Sequence, residues 1–259
     1  MVTVLEVGQW QGSSSPKALG LVEGARWAGG FVPGERVVVP VRGDGGVFGE
    51  GVKALDVLVE NVGLVREALA VGDGPVVTVG GDCGVDLAPI AAARERYGDE
   101  LTVLWLDAHP DVNRPETLPS GSFHGMVVAT LLGDGAAALV PEHRLKPEQV
   151  ILVGVRAYEP GEREYVESRG VRLYGVPELE RAVDGISGPV YVHLDLDVLD
   201  PEHFDSVSYP VAGGVTPDRL VELLRAVGPV VGGAITEYVG TGDPKDAAVI
   251  RRLGAALVG

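Results

Sequence analysis

The sequence predicts an α/β protein in which helices cover both faces of a mostly parallel, eight-stranded sheet, a three-layer α/β/α arrangement. Short runs rich in β-branched residues recur along the 259-residue chain, and segments with helical spacing of apolar residues lie between them. This alternation is typical of parallel sheets, because parallel strands need crossover connections. No linker, internal repeat or heptad pattern divides the chain, so we expect one domain over residues 1–259.

The predicted strands are short, and each ends near a turn-forming residue. They cover residues 3–7, 36–40, 75–79, 101–106, 150–155, 171–174, 190–196 and 230–235. The predicted helices have apolar residues at every third or fourth position. They cover residues 52–70, 84–97, 123–132, 217–226 and 244–257. Residues 43–51 and 133–146 are expected to be loops.

Composition and charge exclude several classes of function. A formal net charge of −16 disfavours nucleic acids as partners, and no apolar run is long enough to cross a bilayer. The N-terminal MVTVLEVGQW lacks the basic stretch and cleavage site of a secretory signal, and one cysteine cannot form an internal disulfide. We therefore expect a cytoplasmic protein that binds a small molecule and has neither a nucleic acid nor a membrane as partner.

Three candidate metal ligands follow the fourth predicted strand: Asp107, His109 and Asp111 occupy every second position. Alternate residues of an extended chain point the same way, so these side chains can converge on one ion. Carboxylate oxygens suit Mn or Mg, and imidazole suits Mn, Zn or Fe. A strand-end cap with surface charges is the alternative explanation.

The seventh predicted strand repeats this pattern with Asp195 and Asp197 in an otherwise apolar run. Buried carboxylates are costly unless something neutralises them, which favours a metal or, failing that, an arginine partner. His193 points with Asp195 if the strand is regular and is a minor candidate.

The third predicted strand ends in GGDCG, which places the only cysteine, Cys83, at the start of a predicted helix. This position favours thiolate and lowers the pKa of the thiol. Cys83 is thus a candidate ligand or nucleophile, although lone cysteines are often inert core residues. Asp82 is expected to cap the helix.

Five motifs in order resemble those of the binuclear-manganese ureohydrolase family of arginase, agmatinase and formiminoglutamase. They are GGDC, DAHPDVN, SGSFHGM, HLDLDVLDP and ITEY, and the resemblance covers residues 76–241. It implies a parallel eight-stranded sheet with two Mn²⁺ ions in a cleft at the carboxyl edge of the sheet.

The resemblance extends to six metal-ligand positions: Cys83, Asp107, His109, Asp111, Asp195 and Asp197. It implies that Asp107 and Asp195 bridge the metals. Cys83 and Asp111 would complete one site, and His109 and Asp197 would complete the second. The family normally has histidine where this chain has Cys83, and a thiolate there also admits Zn, Fe or Co.

The resemblance also implies roles around the substrate. His124 matches a proton-shuttling histidine, and Glu237 matches the carboxylate that pairs with a guanidinium group. Expected contacts to the substrate's α-carboxylate and α-amino groups are Asn113, Ser120, Ser122, Glu159 and Glu162. Leu118, Ser122 and Ala157 depart from the arginase pattern.

The activity implied is hydrolysis of a cationic linear guanidino compound by a metal-bridging hydroxide, giving urea or a substituted urea and an amine. Arginine or a modified arginine such as N-hydroxyarginine is the expected substrate, because the chain resembles relatives that have cysteine at this ligand position and act on N-hydroxyarginine. Agmatinase- or formiminoglutamase-type activity and a non-catalytic metal-binding relative are the alternatives. Relatives often assemble through a C-terminal extension, whereas this sequence stops immediately after its last predicted helix. We therefore expect a monomer or small homo-oligomer.

Overall fold

The structure, a computed structural model, describes residues 2–70, 74–240 and 242–259, so residue 241, at the end of the resembling segment, lies outside it. Its strands are β1 (Thr3–Glu6), β2 (Glu35–Val38), β3 (Val76–Val79), β4 (Thr102–Leu106), β5 (Val150–Val153), β6 (Arg172–Tyr174), β7 (Val190–Asp195) and β8 (Val230–Thr236). They form one eight-stranded sheet in the order β2-β1-β3-β8-β7-β4-β5-β6, and all neighbours are parallel. The predicted fold class is confirmed.

The helices are α1 (Gly20–Phe31), α2 (Leu55–Leu69), α3 (Leu87–Tyr97), α4 (Val127–Leu131), α5 (Glu162–Arg169), α6 (Pro217–Ala226) and α7 (Pro244–Val258). All five predicted helical regions contain a helix, but two of them begin with a 3₁₀ turn, at Cys83–Asp86 and Phe123–Met126. The sequence analysis missed α1 and α5. Helix α1 contains four glycines, which lower helix propensity, and α5 is mostly polar, so the apolar pattern of α5 is weak.

The core has two parts, one on each face of the sheet, because successive strand residues point to opposite faces. Along β4, Leu104 and Leu106 pack in the layer that includes α1, α6 and α7. Trp105, between them, packs on the other face with residues of α2, α3 and α4. The alternation confirms that helices cover both faces. Within the described ranges, no helix is long and apolar enough to cross a membrane.

The four central strands, β3, β8, β7 and β4, bring the sequence motifs together. They are neighbours in the sheet although they are distant in the chain. Because all run the same way, their carboxyl ends lie along one edge, where open parallel sheets bind ligands. Every motif that carries candidate chemistry on these strands therefore opens onto the same region.

Candidate metal centre and substrate pocket

The strands β4 and β7 each end in a turn of the same kind, and each turn carries candidate metal ligands. Asp107 Oδ1 accepts a hydrogen bond from the backbone N–H of His109 at 2.6 Å. Asp195 Oδ1 accepts one from the backbone N–H of Asp197 at 2.7 Å. Such short-range aspartate bonds fold the chain back at the end of a strand. The i, i+2 spacing seen in the sequence thus places both members of each pair on one side.

Asp107, His109 and Asp197 form one tight group of possible metal ligands, with ligand atoms within 4.8 Å of one another. His109 Nδ1 lies 3.0 Å from Asp197 Oδ2 and 3.4 Å from Asp107 Oδ1. Burial alone would lower the pKa of His109, but the charge of Asp197 and the hydrogen bond to Asp107 raise it strongly. In the metal-free chain, a protonated His109 therefore offsets part of the local negative charge.

Cys83 lies at the carboxyl end of β3 and forms a second group with Asp195 and Glu237. Its thiol donates a hydrogen bond to Asp195 Oδ2 at 3.1 Å, and its backbone N–H donates to Glu237 Oε1 at 3.3 Å. Burial raises the pKa of the Cys83 thiol well above its usual value, and the charges of Asp195 and Asp111 raise it further. The expectation of a lowered thiol pKa is wrong for the metal-free chain.

Asp111 lies in the same pocket but belongs to none of the three tight ligand groups found among the described residues. Its backbone has a positive φ of 50°, which is uncommon for a residue with a side chain. Its buried Oδ2 has no hydrogen-bond partner within the described ranges. Burial and then the charge of Asp107 raise the pKa of Asp111 well above its usual value. Asp111 is therefore a buried carboxylate whose Oδ2 lacks a hydrogen-bond partner among the described residues.

The charges of this cluster fit a divalent metal. Burial, followed by the charge of Asp197, raises the pKa of Asp195 well above its usual value. Burial, followed by the charge of Asp107, raises the pKa of Asp197 to about 6. Glu237 Oε2 is a further buried oxygen with no hydrogen-bond partner in the part of the chain described. Cations would remove this repulsion, and the mainly oxygen donor set suits hard ions such as Mn²⁺.

A cavity of about 200 Å³ opens onto four of the six candidate metal ligands, whereas Cys83 and Asp107 are not part of its lining. Its lining comprises Ser14, His109, Asp111, Asn113, Leu118, Ser120, Ser122, His124, Gly125, Glu159, Glu162, Asp195, Asp197, Tyr209 and Glu237. A larger cavity, of about 400 Å³, lies near the amino ends of β3 and β8 and has none of these residues in its lining. The chemistry-bearing side chains thus converge on the smaller one.

His124 and Glu237 form a pair inside the pocket. His124 Nδ1 lies 3.2 Å from Glu237 Oε1, and the carboxylate can accept its proton. Burial alone would lower the pKa of His124, but the hydrogen bond and charge of Glu237 raise it above its usual value. Glu237 follows β8 directly and has a positive φ of 62°, and its backbone N–H donates to the carbonyl of Gly81 at 2.9 Å. This conformation directs the carboxylate toward Cys83 and His124.

All the residues expected to contact substrate line the pocket. Ser120 Oγ lies 3.0 Å from Ser122 Oγ, which lies 2.6 Å from Ser14 Oγ, so the three hydroxyls form a chain. Glu162 is buried, and its carboxylate accepts hydrogen bonds from the backbone N–H groups of Glu159, at 2.8 Å, and Val112, at 3.3 Å. The pocket wall is therefore rich in polar groups opposite the candidate metal ligands.

The sequence analysis missed two residues of the pocket, Ser14 and Tyr209. Ser14 belongs to a serine run that follows β1, so the strand-end rule could have found it. Tyr209 lies in a loop, and its ring centroid is 5.5 Å from that of His124. No local pattern signals this contact. Asp82, by contrast, caps the 3₁₀ turn as predicted, because its side chain accepts from the backbone N–H of Gly84.

The fold and the acid-rich site at its carboxyl edge are those of an α/β/α protein whose side chains could hold divalent metal ions. The Arginase family profile matches residues 37–258, and the chain belongs to this family. The resemblance seen in the motifs is confirmed.

Individual relatives support this assignment. The chain is 36% identical to the arginase of Bacillus caldovelox over 172 residues, which are 59% of this chain and 56% of that protein. Its structure is similar to that of Entamoeba histolytica arginase, with a TM-score of 0.86 at 20% identity and coverage of 100% and 97% of the two chains. Bacillus subtilis arginase gives a TM-score of 0.83 at 25% identity, with the same coverage. In sequence, the match spans about half the length of these curated bacterial relatives.

Proposed function

We propose that this chain is a metal-dependent hydrolase that cleaves arginine or a modified arginine such as N-hydroxyarginine. The products are urea, or a substituted urea, and an amine. The observation that carries the proposal is the His124–Glu237 pair, which shares one small pocket with four of the six candidate metal ligands. We further propose two Mn²⁺ ions as the resident metals, with Zn, Fe or Co as candidates at the Cys83 site.

The charge of the pocket supports a cationic substrate. Six carboxylates line it, and its lining, as far as the described residues define it, includes no lysine or arginine. Two bound divalent cations would offset part of this negative charge. Glu159 and Glu162 supply carboxylates in the pocket lining beyond the candidate metal ligands and Glu237. A substrate with a positive charge at each end complements this distribution.

The polar wall of the pocket supports an amino acid rather than a simple amine. Ser14, Ser120 and Ser122 offer hydroxyl donors, and Asn113 offers an amide donor, for an α-carboxylate. Glu159 and Glu162 offer acceptors for an α-amino group. Agmatine has no carboxylate, so it would offer no anionic acceptor to the Ser14 hydroxyl, which ends the chain of serine hydroxyls, or to the amide of Asn113.

The proposed chemistry divides between metals and side chains. Bound divalent cations would supply Lewis acidity and lower the pKa of a nearby water. Glu237 would accept guanidinium N–H groups through Oε2, which is free of other partners among the described residues. His124, held through Nδ1 by Glu237, would carry a proton to the leaving amine.

The test is a direct comparison of substrates. Manganese-loaded protein is incubated with L-arginine, N-hydroxy-L-arginine, agmatine and formiminoglutamate, and the products are quantified by mass spectrometry. We expect ornithine with urea or hydroxyurea. Putrescine alone would replace the proposal with agmatinase-type activity, and glutamate would replace it with formiminoglutamase-type activity.

Metal content, measured on the same sample, separates the remaining alternatives. Two metals per chain without any product would keep the metal centre and overturn the proposed substrates. No product and no metal would indicate a relative that has lost catalysis. The Glu164→Gln variant, which changes an exposed carboxylate of α5, serves as the control and should behave like the unmodified chain.

A further inference from the structure

His193 is a buried histidine close to the candidate metal ligands, and the proposed chemistry does not use it. It lies in β7 two residues before Asp195, so both side chains point to the same face of the sheet. Its side chain has no exposed surface. The ring of Trp105, its neighbour on β4, stacks on it with centroids 3.4 Å apart and planes 7° apart. The orientation of the imidazole is therefore well defined by packing.

Hydrogen bonding assigns the two nitrogens of His193 different roles. Nδ1 lies 2.8 Å from Oδ2 of the fully buried Asp86. The other oxygen of Asp86 accepts a hydrogen bond from the Tyr191 hydroxyl. Because the carboxylate accepts, Nδ1 carries a proton, and in the neutral imidazole this leaves the lone pair on Nε2. A buried carboxylate behind a histidine is the arrangement that commonly orients metal-binding histidines.

Nε2 of His193 has no hydrogen-bond partner among the residues that the structure describes. A histidine that only fills the core normally has both ring nitrogens paired, because an unpaired buried polar atom is costly. The neighbouring thiol of Cys83 does not fill this role, since its Sγ contacts Asp195 at 3.1 Å and Thr236 at 3.7 Å. The lone pair of Nε2 therefore requires another partner.

The surroundings of His193 offer the ligand set of a metal ion. A ring nitrogen of His193, the Sγ of Cys83 and a carboxylate oxygen of Asp107 lie within 4.8 Å of one another. Since Nδ1 is engaged by Asp86, Nε2 is the nitrogen available to a metal. Trp105 also donates from Nε1 to Asp107 Oδ2 at 3.1 Å, so one side chain positions both the imidazole and the carboxylate.

We propose that His193 is a metal ligand and that Cys83, His193 and Asp107 together bind one divalent ion. Their thiolate, imidazole and carboxylate donors favour a softer ion, Zn²⁺ or Co²⁺, over Mn²⁺. The thiol proton of Cys83, now shared with Asp195, leaves to solvent when the ion binds. This inference deepens the proposed function and rests on its metal centre, but not on its substrate.

The first test observes histidines in the unmodified chain. Protein labelled with ¹⁵N-histidine is loaded with ¹¹³Cd²⁺, a spectroscopic substitute for zinc, and scalar coupling between cadmium and ring nitrogens is recorded. We expect two of the five histidines to show coupling, His109 and His193. Cadmium coupling to His109 without coupling to His193 would overturn the inference while leaving the metal centre in place. Absence of bound cadmium would overturn the inference and the proposed metal centre together.

The second test compares variants. Zn²⁺ and Co²⁺ affinities are measured by competition titration for the unmodified chain, for His193→Gln and for the matched control His203→Gln, which changes an exposed histidine. We expect His193→Gln to weaken Zn²⁺ binding at one site by at least about tenfold and to shift the visible bands of bound Co²⁺. The near-ultraviolet band of cobalt bound to Cys83 should remain. Unchanged affinity and an unchanged cobalt spectrum would contradict a ligand role.

Discussion

At the scale of single residues, the site depends on pairs in which a carboxylate holds a second functional group. Asp195 accepts a hydrogen bond from the thiol of Cys83, and Glu237 lies within hydrogen-bond distance of Nδ1 of His124. A charge-assisted hydrogen bond orients its donor more strictly than a neutral one. The side chains of the pocket are therefore held in place before any ligand binds.

The role of His124 gives a testable prediction. Replacing it with alanine should lower kcat by about 10²- to 10⁴-fold, because proton transfer to the leaving amine loses its carrier. Metal content should not change, since His124 belongs to none of the ligand groups found in the described part of the chain. Steady-state kinetics with and without added imidazole, beside metal analysis, is the measurement. A kcat within twofold of the unmodified enzyme would contradict the role.

Glu162 predicts how stability depends on pH. Burial raises its pKa from 4.5 to about 7, so between these values the folded chain holds a proton that the unfolded chain has lost. Stability of the metal-free protein should therefore fall as pH rises through this window, by about 3 kcal/mol from this group. Below the window, both states are protonated and the group has no effect.

The test is urea unfolding of the metal-free protein at several pH values from 5 to 8. Glu162→Gln removes the titration, so its stability should fall less steeply with pH than that of the unmodified chain. Exposed Glu164 on the same helix provides the control, because Glu164→Gln should leave the slope unchanged. Parallel curves for Glu162→Gln and the unmodified chain would refute the assignment.

At the scale of elements, helix α1 supports the backbone that carries Glu237. Gly24 of α1 packs against Tyr238, the residue after Glu237. A Cβ added to Gly24 would lie 1.7 Å from the carbonyl oxygen of Tyr238. Glycine is therefore required at this position for close packing, although it lowers the helix propensity of α1. The glycines of α1 lower its helix propensity, and one of them, Gly24, lets the helix pack close to the site.

This contact predicts opposite effects for two glycines of one helix. Gly24→Ala should lower the free energy of unfolding by at least about 2 kcal/mol, since the backbone must move. Gly30→Ala should raise it by up to about 1 kcal/mol, because nothing lies within 4 Å of the added atom. Denaturant unfolding of both variants is the measurement. Equal effects of the two substitutions would disprove the packing argument.

At the scale of the whole molecule, acidic residues are concentrated at the carboxyl ends of the central strands of the sheet. The buried acids at the ends of β4 and β7 repel one another, and burial prevents water from screening them. The fold therefore holds these carboxylates at a free-energy cost in the metal-free state. Because the sheet includes strands from near both ends of the chain, we propose that residues 1–259 form a single domain.

This balance predicts strong stabilisation by metal. Adding Mn²⁺ to chelator-treated protein at about 100 times its Kd should stabilise the fold by about 2.7 kcal/mol per site. The melting temperature should rise by several degrees, which differential scanning calorimetry measures. Mg²⁺ at equal concentration gives a comparison for nonspecific ionic effects. A melting temperature unmoved by manganese would contradict the metal centre.

The assembly state also belongs to this scale, and a monomer or small homo-oligomer stays a prediction. Light scattering of the metal-loaded protein is the measurement. A stable hexamer would refute it.

The sequence by itself determined the features that depend on local spacing. The α/β/α class followed from alternating strand and helix patterns, and Asp107, His109, Asp195 and Asp197 followed from i, i+2 spacing at strand ends. These features were predictable because a strand places alternate residues on one side whatever surrounds it. The structure places these four residues at the predicted edge of the sheet.

The tertiary structure alone decided features that depend on distant neighbours. It places Tyr209 beside His124 and raises the pKa of the Cys83 thiol through burial and nearby acids. It also brings a ring nitrogen of His193 close to Cys83 and Asp107. Helices α1 and α5 were found only in the structure, because the glycines of α1 lower helix propensity and α5 is mostly polar. Burial and long-range contacts arise only when the strands assemble, so no local pattern encodes them.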